Sequence, residues 1–473
     1  MPNQPESNPS TRRGFLGAMS ALSASSYNRV LGANDRVGVG FIGYGLIGRQ
    51  HIANFKSSFP DVDRVAICDV YQPRLQEGLA YLESPNAKAY SDFRKMYDDQ
   101  NVDAVVVATP DHWHAMLTIM ACAAGKDVYV EKPLTVFIDE SKWMLQAEAK
   151  YKRIVVVGTQ RRHNPSYAAA RKIVESGVLG KIQLVRMGGA SRNIYPGFGK
   201  TPVGNPPADF DYDLWLGPAP KRPYQAHRGL YHFRWFWDYS GGQMTNLGAH
   251  GIDQFQYVMN VKAPTMVVSC GGRYTLEDDG ETPDLQECIF TFPGFLMTYS
   301  VREANGYRDS QGTVIMGNKG DLILGANRVV AEMKSDPVNL IPRFLGHPVG
   351  GPVYTQTKPE PWIETQDEAG RAAPGPAARG GGFGSMEEQM FNANKRDWIN
   401  CIKSRNQPFC NLESGHRVAV TCHLANMSLR LGGRPIRWDP EKQQVIGDKE
   451  AAAMCTNEYR APWDGVLKSL LKV

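Results

Sequence analysis

Short, wholly apolar runs recur through the first 160 positions of the chain. They are VGVGFI from Val37, VDAVVVATP (Val102 to Pro110), DVYVEKP (Asp127 to Pro133) and RIVVVGTQ (Arg153 to Gln160). Runs without polar alternation are typical of strands buried on both faces of a parallel sheet. Helical periodicity lies between them, after Asp111 and over about Ile138 to Tyr151. This alternation predicts an α/β fold, a doubly wound Rossmann-type parallel sheet over residues 36–157.

From about Gly158 the pattern becomes one of alternating apolar and polar positions, in segments such as KIQLVRMGG, LQECIFTFPG and FLMTYSVRE. This predicts a second α/β domain over 158–440 with a large, mostly antiparallel open sheet. Helical patterns at Asn394 to Arg405 and Glu413 to Leu431 complete it, an irregular Pro/Gly-rich loop is expected at about 343–384, and a tail at 441–473. One face of such a sheet must be covered by helices of this chain or by another subunit.

The composition is that of a soluble globular protein with a large core: 473 residues, 42% hydrophobic and 21% charged. The net charge of +5 is diffuse, which argues against nucleic acid as a partner. No run reaches the roughly eighteen apolar residues of a membrane span. The eight cysteines are scattered without a CxxC pair, which favours buried thiols over disulfides or a zinc site.

The N-terminal segment, residues 1–35, differs from the rest. TRRGFLGAMSALSASS begins with Arg12-Arg13, continues as a short apolar run and ends in small residues. This pattern predicts a twin-arginine export signal and linker, and therefore a periplasmic or secreted protein. A disordered tail on a cytoplasmic protein is the alternative.

The first strand leads into Gly43-Tyr44-Gly45-Leu46-Ile47-Gly48, a GxGxxG between strand and helix. Gly43 permits the turn, Gly45 lets the backbone approach a pyrophosphate, and Gly48 allows close helix packing, while amides from Leu46 onward face the phosphates. Asp69 ends the next strand, 26 positions past Gly43, where it can accept hydrogen bonds from a ribose 2′-hydroxyl and repel a 2′-phosphate. NAD is therefore the expected cofactor, with NADP possible because Arg74 is near.

Ligands of parallel α/β sheets bind beyond the carboxyl ends of the strands, where ATPDH, EKP and GTQRR all fall. Lys132 stands at one such end, with Pro133 after it and Glu131 before it to orient or neutralise it. A solvated loop lysine is the alternative. His112 and His114, two residues apart without a third ligand, favour helix capping and cofactor packing over a metal site, so no metal is expected.

With these motifs in place, the chain resembles the glucose–fructose oxidoreductase, inositol dehydrogenase and rhizopine-catabolism family (Gfo/Idh/MocA). The resemblance runs from Arg36 to about Pro440 and rests on GFIGYGLIG, ATPDHWH, EKP, GTQRR and GGQMTNLGAHGID, in the family's order. It implies a dinucleotide-binding domain, a second domain whose open sheet often mediates homo-oligomer formation, an NAD(P) cofactor, and sugar or cyclitol substrates.

The resemblance assigns Lys132 to the active site and implies that Thr109, Pro110, His114 and Glu131 frame the cofactor. Family members carry an aspartate four residues before the histidine that matches His250, and here that position is Asn246. An amide can hydrogen-bond a hydroxyl but cannot take its proton, so His250 is the best base candidate and Lys132 its electrostatic partner.

Several polar and aromatic side chains could hold sugar hydroxyls or stack on a pyranose ring, although a surface turn or core packing competes with this role for most of them. These substrate-binding candidates are Arg161, Arg162, Asn164, Trp235 and Asp253.

The leading functional hypothesis is an NAD(P)-dependent oxidoreductase acting on a CH–OH group of a sugar or cyclitol. The first alternative is a glycoside hydrolase that retains its NAD and works by oxidation and elimination. The second is a non-catalytic nucleotide- or sugar-binding protein, for which Asn246 is the chief support. The partners expected are a carbohydrate and further copies of the chain, with no membrane span.

Overall fold

The computed structural model describes residues 36–188, 193, 195–304, 312–324, 328–330, 337–338, 353–354, 361–364 and 385–471. The expected export signal and almost all of the expected loop at 343–384 lie outside these residues.

The first sheet has six parallel strands in the order β3-β2-β1-β4-β5-β6. Its strands are β1 (Val37–Ile42), β2 (Val62–Cys68), β3 (Lys88–Tyr90), β4 (Ala104–Val107), β5 (Asp127–Val130) and β6 (Val155–Val157). Its helices are α1 (Leu46–Ser58), α2 (Gln72–Leu82), α3 (Phe93–Tyr97), α4 (His114–Ala123) and α5 (Ile138–Tyr151). The central strands are buried at every position, which is why they read as continuous apolar runs. The doubly wound parallel sheet is confirmed.

The second sheet, traced through the described residues, has ten strands in the order β18-β15-β14-β13-β7-β12-β11-β10-β19-β20. Its strands are β7 (Ile182–Gly188), β10 (Met266–Gly272), β11 (Leu285–Phe292), β12 (Phe295–Arg302), β13 (Thr313–Gly317), β14 (Asp321–Leu324), β15 (Arg328–Val330), β18 (Pro361–Glu364), β19 (Ile436–Asp439) and β20 (Gln444–Val445). Among the pairings, β7 with β12 is parallel and the others are antiparallel. The mostly antiparallel open sheet is confirmed.

Helices cover one face of this sheet. The helices of the C-terminal part are α6 (Pro165–Glu175), α7 (Tyr212–Leu216), α8 (Gly242–Asn246), α9 (Gly248–Met259), α10 (Ser385–Ser404), α11 (Leu412–Arg430), α12 (Lys449–Ala453) and α13 (Trp463–Leu470). Side chains of α9 and α11, such as Phe255 and Leu424, share one core cluster with Val185 and Phe290 of the sheet. Small two-stranded ribbons are β8 (Val203–Gly204) with β9 (Tyr224–Gln225) and β16 (Pro337–Val338) with β17 (Val353–Tyr354).

The C-terminal part also completes the core of the first domain. Trp398 and Ile402 of α10 pack with Phe41 and Phe55 on one side of the first sheet. Trp463 and its neighbours in α13 join the core cluster on the other side, with Trp113. The expected tail at 441–473 therefore differs from the structure, because apolar positions of α13 are buried against a surface that lies far away in sequence.

None of the helices in the described residues has both the length and the apolar character required to span a membrane.

Candidate active site

The glycine turn has the shape of a phosphate-binding loop. Gly43 has a φ of +91°, which favours glycine. A Cβ at Gly48 would lie 2.0 Å from the Gly43 carbonyl oxygen, so this glycine is required for α1 to pack against the turn. A Cβ at Gly45 would meet nothing within 4 Å, and no side chain caps the start of α1. The space beside Gly45 and the first amides of the helix, from Leu46 and Ile47 onward, thus face an open cleft.

Asp69 is held at the edge of this cleft by two backbone amides. The Tyr44 N–H donates to Oδ2 at 2.7 Å and the Tyr71 N–H donates to Oδ1 at 2.9 Å. Burial raises the pKa of the Asp69 carboxyl, against the lowering effect of these hydrogen bonds and of Arg74. Each carboxyl oxygen can accept a further hydrogen bond, so the side chain remains able to bind ribose hydroxyls.

The cleft contains about 890 Å³ of empty space, including space open to solvent. One wall is the glycine turn with Asp69, Thr109 and Pro110. The opposite wall comes from the second domain. It is formed by Phe210, Leu214, Trp215, Leu230, Tyr231, Phe233 and Arg234. No local motif in the sequence marks this wall, because its place over the cleft depends on the tertiary fold.

Lys132 extends from just beyond the end of β5 to the last residue of α8. Its Nζ donates to Asn246 Oδ1 at 3.1 Å and to the Asn246 carbonyl at 3.4 Å. His250 follows four residues later, in the next helix α9, and is 5% exposed. The structure thus brings the EKP segment against the end of α8, and the meeting of the Lys132 ammonium with the His250 imidazole stays a prediction.

Asn246 is the first member of a buried polar chain. Its Nδ2 donates to Gln243 Oε1 at 3.0 Å, and Gln243 Nε2 donates to Glu303 Oε1. The Asn193 N–H donates to the other carboxylate oxygen of Glu303. Asn246, Gln243 and Glu303 are 3%, 1% and 6% exposed. Gln243 lies within the GGQMTNLGAHGID motif, but the motif does not reveal its hydrogen-bond partners, and no motif marks Glu303.

Glu131 faces away from the cleft, behind Lys132. Its Oε1 lies 2.9 Å from His51 Nε2, and its Oε2 accepts the backbone N–H of Lys132 at 3.1 Å. Burial opposes its ionisation, but the hydrogen bond to His51 and the charges of Lys132 and Lys395 outweigh burial and lower its pKa. A Cβ at Gly158 would lie 2.7 Å from this carboxylate. Glu131 therefore fixes the backbone of Lys132.

His114 ties two strand ends together. Its Nδ1 lies 2.6 Å from the Pro133 carbonyl oxygen and its Nε2 lies 2.9 Å from that of Thr109. His112 instead packs on Trp215, with Nε2 2.9 Å from the Trp215 carbonyl oxygen. Within the described ranges no three His, Cys, Asp or Glu side chains are grouped to hold a metal ion.

The structure brings two of the substrate-binding candidates together and places the other three in separate surroundings. Arg162 and Asp253 come together as a buried ion pair with two hydrogen bonds, so each holds the other in place. Arg161 is partly exposed and lies 3.9 Å from Glu387. The Asn164 side chain accepts the Ser166 N–H and caps α6, and Trp235 is 4% exposed, which leaves little of its ring for a sugar. Their assignment to substrate stays a prediction.

The residues around the cleft fit a dinucleotide. The open approach at Gly45 and the uncapped first turn of α1 suit a pyrophosphate. Asp69 provides acceptors for a ribose. Thr109 Oγ1 is buried without a hydrogen-bond partner in the structure, as expected of a group whose partner is a ligand.

Two family models match the chain. One, described as an oxidoreductase family with an NAD-binding Rossmann fold (GFO_IDH_MocA), matches residues 37–159. The other, the C-terminal α/β domain of the same oxidoreductase family, matches 164–272 and 387–465. Together they cover about two thirds of the sequence, on both sides of the cleft.

Among curated proteins, an inositol 2-dehydrogenase of Salmonella typhimurium is 32% identical over 147 residues, which is 31% of this chain and 44% of that protein. The match thus spans less than half the length of that relative. A scyllo-inositol 2-dehydrogenase (NAD(+)) of Bacillus subtilis is 25% identical over 311 residues, 64% of this chain and 79% of that protein.

Solved structures share the fold. The WlbA dehydrogenase from Bordetella pertussis, in complex with NADH and UDP-GlcNAcA, superposes with a TM-score of 0.61 at 21% identity, covering 86% of this chain and 99% of that one. The myo-inositol dehydrogenase from Lactobacillus casei, in complex with NAD(H) and myo-inositol, gives 0.58 at 17% identity, with coverages of 88% and 99%.

Proposed function

The chain belongs to the Gfo/Idh/MocA family of NAD-binding oxidoreductases, and from this membership we propose that it transfers a hydride between NAD and the hydroxyl-bearing carbon of a sugar or cyclitol. The observation that carries the proposal is the 3.1 Å contact of the Lys132 ammonium with Asn246, four residues before His250. It brings a cation to the end of α8, directly before the helix α9 that carries a candidate base, at the edge of the sheet where such folds bind ligands.

Oxidation of a secondary alcohol removes a proton from oxygen as a hydride leaves carbon. Lys132 provides positive charge for the developing alkoxide, and Asn246 holds its ammonium in place. His250 is the proposed base. Glu131, paired with His51, fixes the backbone from which Lys132 extends. NAD, when bound, supplies the hydride acceptor.

NAD is the proposed cofactor in preference to NADP. Support comes from Asp69, whose carboxylate stands at the cleft edge and would repel a 2′-phosphate. Arg74 lines the same cleft, so the balance between the two side chains sets the degree of preference.

The test begins with the purified full chain. Any nucleotide released on denaturation is identified by mass, and sugars and cyclitols are then screened for NADH formation. Lys132→Met serves as the inactive control, because it removes the charge at nearly constant side-chain length. Hydride transfer to NAD that disappears in this variant supports the proposal. Release of aglycone from a chromogenic glycoside without net NADH would replace it by the retained-NAD glycosidase.

A second copy of the chain is the proposed partner. The sheet face opposite the helices carries Ile289 and Leu296, 48% and 42% exposed, on neighbouring strands. Contiguous apolar positions on an open sheet are typical of an interface. Sedimentation should give a homo-oligomer that Ile289→Lys weakens, and a monomeric wild type would rule this interface out.

Export by the twin-arginine route is proposed on the sequence of residues 11–26 alone. Fractionation of the producing cell tests it. The mature protein should appear outside the cytoplasm and should stay inside when Arg12 and Arg13 are both replaced by lysine.

A further inference from the structure

The hydrogen bonds from Lys132 to Glu303 run in a single direction. An ammonium can only donate and a carboxylate can only accept, whereas each carboxamide between them does both. Lys132 donates to Asn246, Asn246 to Gln243, and Gln243 to Glu303. Both amides therefore have one orientation that satisfies these three hydrogen bonds, with the Asn246 oxygen facing the ammonium.

Glu303 sets this orientation because both of its oxygens are engaged. One accepts Gln243 Nε2 and the other accepts the Asn193 backbone N–H. Glu303 follows the end of β12 and is 6% exposed. Its charge is thus held in the interior, two amide groups away from the ammonium that the proposed reaction uses.

We propose that Glu303 is a positioning residue, which through Gln243 and Asn246 directs an acceptor oxygen at Lys132 and supplies the negative charge that the asparagine at position 246 lacks. This inference rests on the proposed function for its effect on turnover. Its effect on the hydrogen-bond chain does not depend on any reaction.

The fixed direction of these hydrogen bonds allows a test with two complementary substitutions, one at each end of the chain of amides. In Glu303→Gln, the new amide must turn its oxygen toward the Asn193 N–H and its NH₂ toward Gln243. Gln243 then reverses, Asn246 follows, and the Asn246 NH₂ points at the ammonium. In Asn246→Asp, the new carboxylate demands the NH₂ of Gln243, whose oxygen is left facing the carboxylate of Glu303.

Each single variant is therefore mismatched at one end, and the double variant is matched throughout. In the double variant, the amide introduced at position 303 donates to Gln243, and Gln243 donates to the carboxylate introduced at position 246. That carboxylate also accepts from Lys132. The double variant keeps the wild-type net charge as well.

The experiment measures kcat, the KM for NAD and the thermal midpoint of the wild type, both single variants and the double variant. Each single substitution should lower kcat about tenfold to a hundredfold and lower the midpoint, with the KM for NAD unchanged. The double variant should recover kcat to within about threefold of wild type and regain most of the midpoint. Glu175→Gln, which removes an exposed carboxylate that accepts from Arg171 on α6, is the control and should change neither quantity.

Additive losses in the double variant, in kcat and in midpoint, would overturn the proposal. If a single variant fails to fold, recovery of folding in the double variant supports the proposal, and failure of the double variant to fold beside a folded Glu175→Gln refutes it. If the thermal midpoint recovers in the double variant but the wild type transfers no hydride, the orientation of the hydrogen-bond chain by Glu303 is supported and the proposed function is refuted. If the wild type is active but the double variant recovers neither kcat nor the midpoint, the proposed function is supported and the positioning role of Glu303 is refuted.

Discussion

Lys132 Nζ lies 3.1 Å from Asn246 Oδ1, although 114 residues separate the two in the chain. The lysine ends a strand of the first sheet, and the asparagine ends a helix of the second domain. The contact places the cation of one domain against the polar face of the other. The chemistry of this site thus depends on how the two domains pack together.

The first prediction concerns this lysine. Lys132→Met should lower kcat about a hundredfold or more, because the charge that stabilises a developing alkoxide is lost. NAD affinity should change little, since the phosphates and the ribose are held elsewhere in the cleft. Steady-state turnover together with calorimetric titration of NAD measures both. Lys262→Met, which alters an exposed lysine paired with Glu441, is the control, and equal turnover in the two variants would contradict the role of Lys132.

The second prediction separates two glycines of one turn. Gly48→Ala should destabilise the protein by about 1–3 kcal/mol, because its Cβ would press on the Gly43 carbonyl. Gly45→Ala should leave the free protein within about 0.5 kcal/mol of wild type, because its Cβ meets nothing.

NAD binding should be weakened more by the substitution at Gly45 than by the substitution at Gly48. Gly45→Ala should weaken NAD about tenfold or more, since the methyl group enters the space that a pyrophosphate needs. Denaturant unfolding of the free protein and calorimetry with NAD provide the two measurements. Unchanged NAD affinity in Gly45→Ala would place the dinucleotide elsewhere.

The third prediction concerns the choice of cofactor. Asp69→Ser keeps a hydrogen-bonding group but removes the negative charge at the cleft edge. The ratio of kcat/KM for NAD to that for NADP should fall about tenfold or more, because repulsion of the 2′-phosphate is relieved. Arg74→Ala should move the ratio the other way. A ratio that Asp69→Ser does not change would leave cofactor choice to other residues.

The fourth prediction is a pH dependence of stability centred on Lys395. This lysine is fully buried and donates to Asn54 at 3.2 Å. Burial lowers its pKa to about 7, against the raising effect of Glu131 and Glu388. His51, which is hydrogen-bonded to Glu131, also faces this cluster, and burial lowers its pKa to about 4.

Between pH 7 and the ordinary lysine value of 10.5, the unfolded chain binds a proton at Lys395 that the folded chain does not. The contribution of Lys395 to stability therefore rises with pH across this window. The full change is on the order of 5 kcal/mol. In chemical unfolding at pH 7, 8, 9 and 10, the free energy of unfolding of the wild type should rise relative to that of Lys395→Met as the pH increases. Parallel curves for the two proteins would show that Lys395 stays charged when buried.

Much of the first domain could be predicted because its signals are local. Strands buried on both faces leave continuous apolar runs, and the helix expected at Ile138 to Tyr151 has those bounds in the structure. The second sheet was predicted from alternation, since one of its faces is open. The roles of α10 and α13 were not predicted, because their partners in the first domain lie more than 200 residues away in the chain.

The site was predicted only where short motifs mark it. The glycine turn and Asp69 are read from spacing, whereas the roles of Lys132 and His250 rest on the family resemblance. Gln243, Glu303 and Lys395 were missed because a buried polar group is recognised by its partners, which the linear sequence does not show. The helix cap at Asn164 could also have been predicted, since Asn followed by Pro is a common start of a helix.

Helices α10 and α13, which flank the first sheet on its two sides, also bear on how the protein is made. A ribosome releases the first domain's strands long before it translates Trp398 and Trp463, whose rings belong to that domain's core. Until Trp463 has been translated, the nascent chain exposes apolar surface on the sides of the first sheet that α10 and α13 cover. Chaperone protection should therefore last until this residue has left the ribosome, and chains truncated before residue 463 should aggregate even though every nucleotide-binding motif is present.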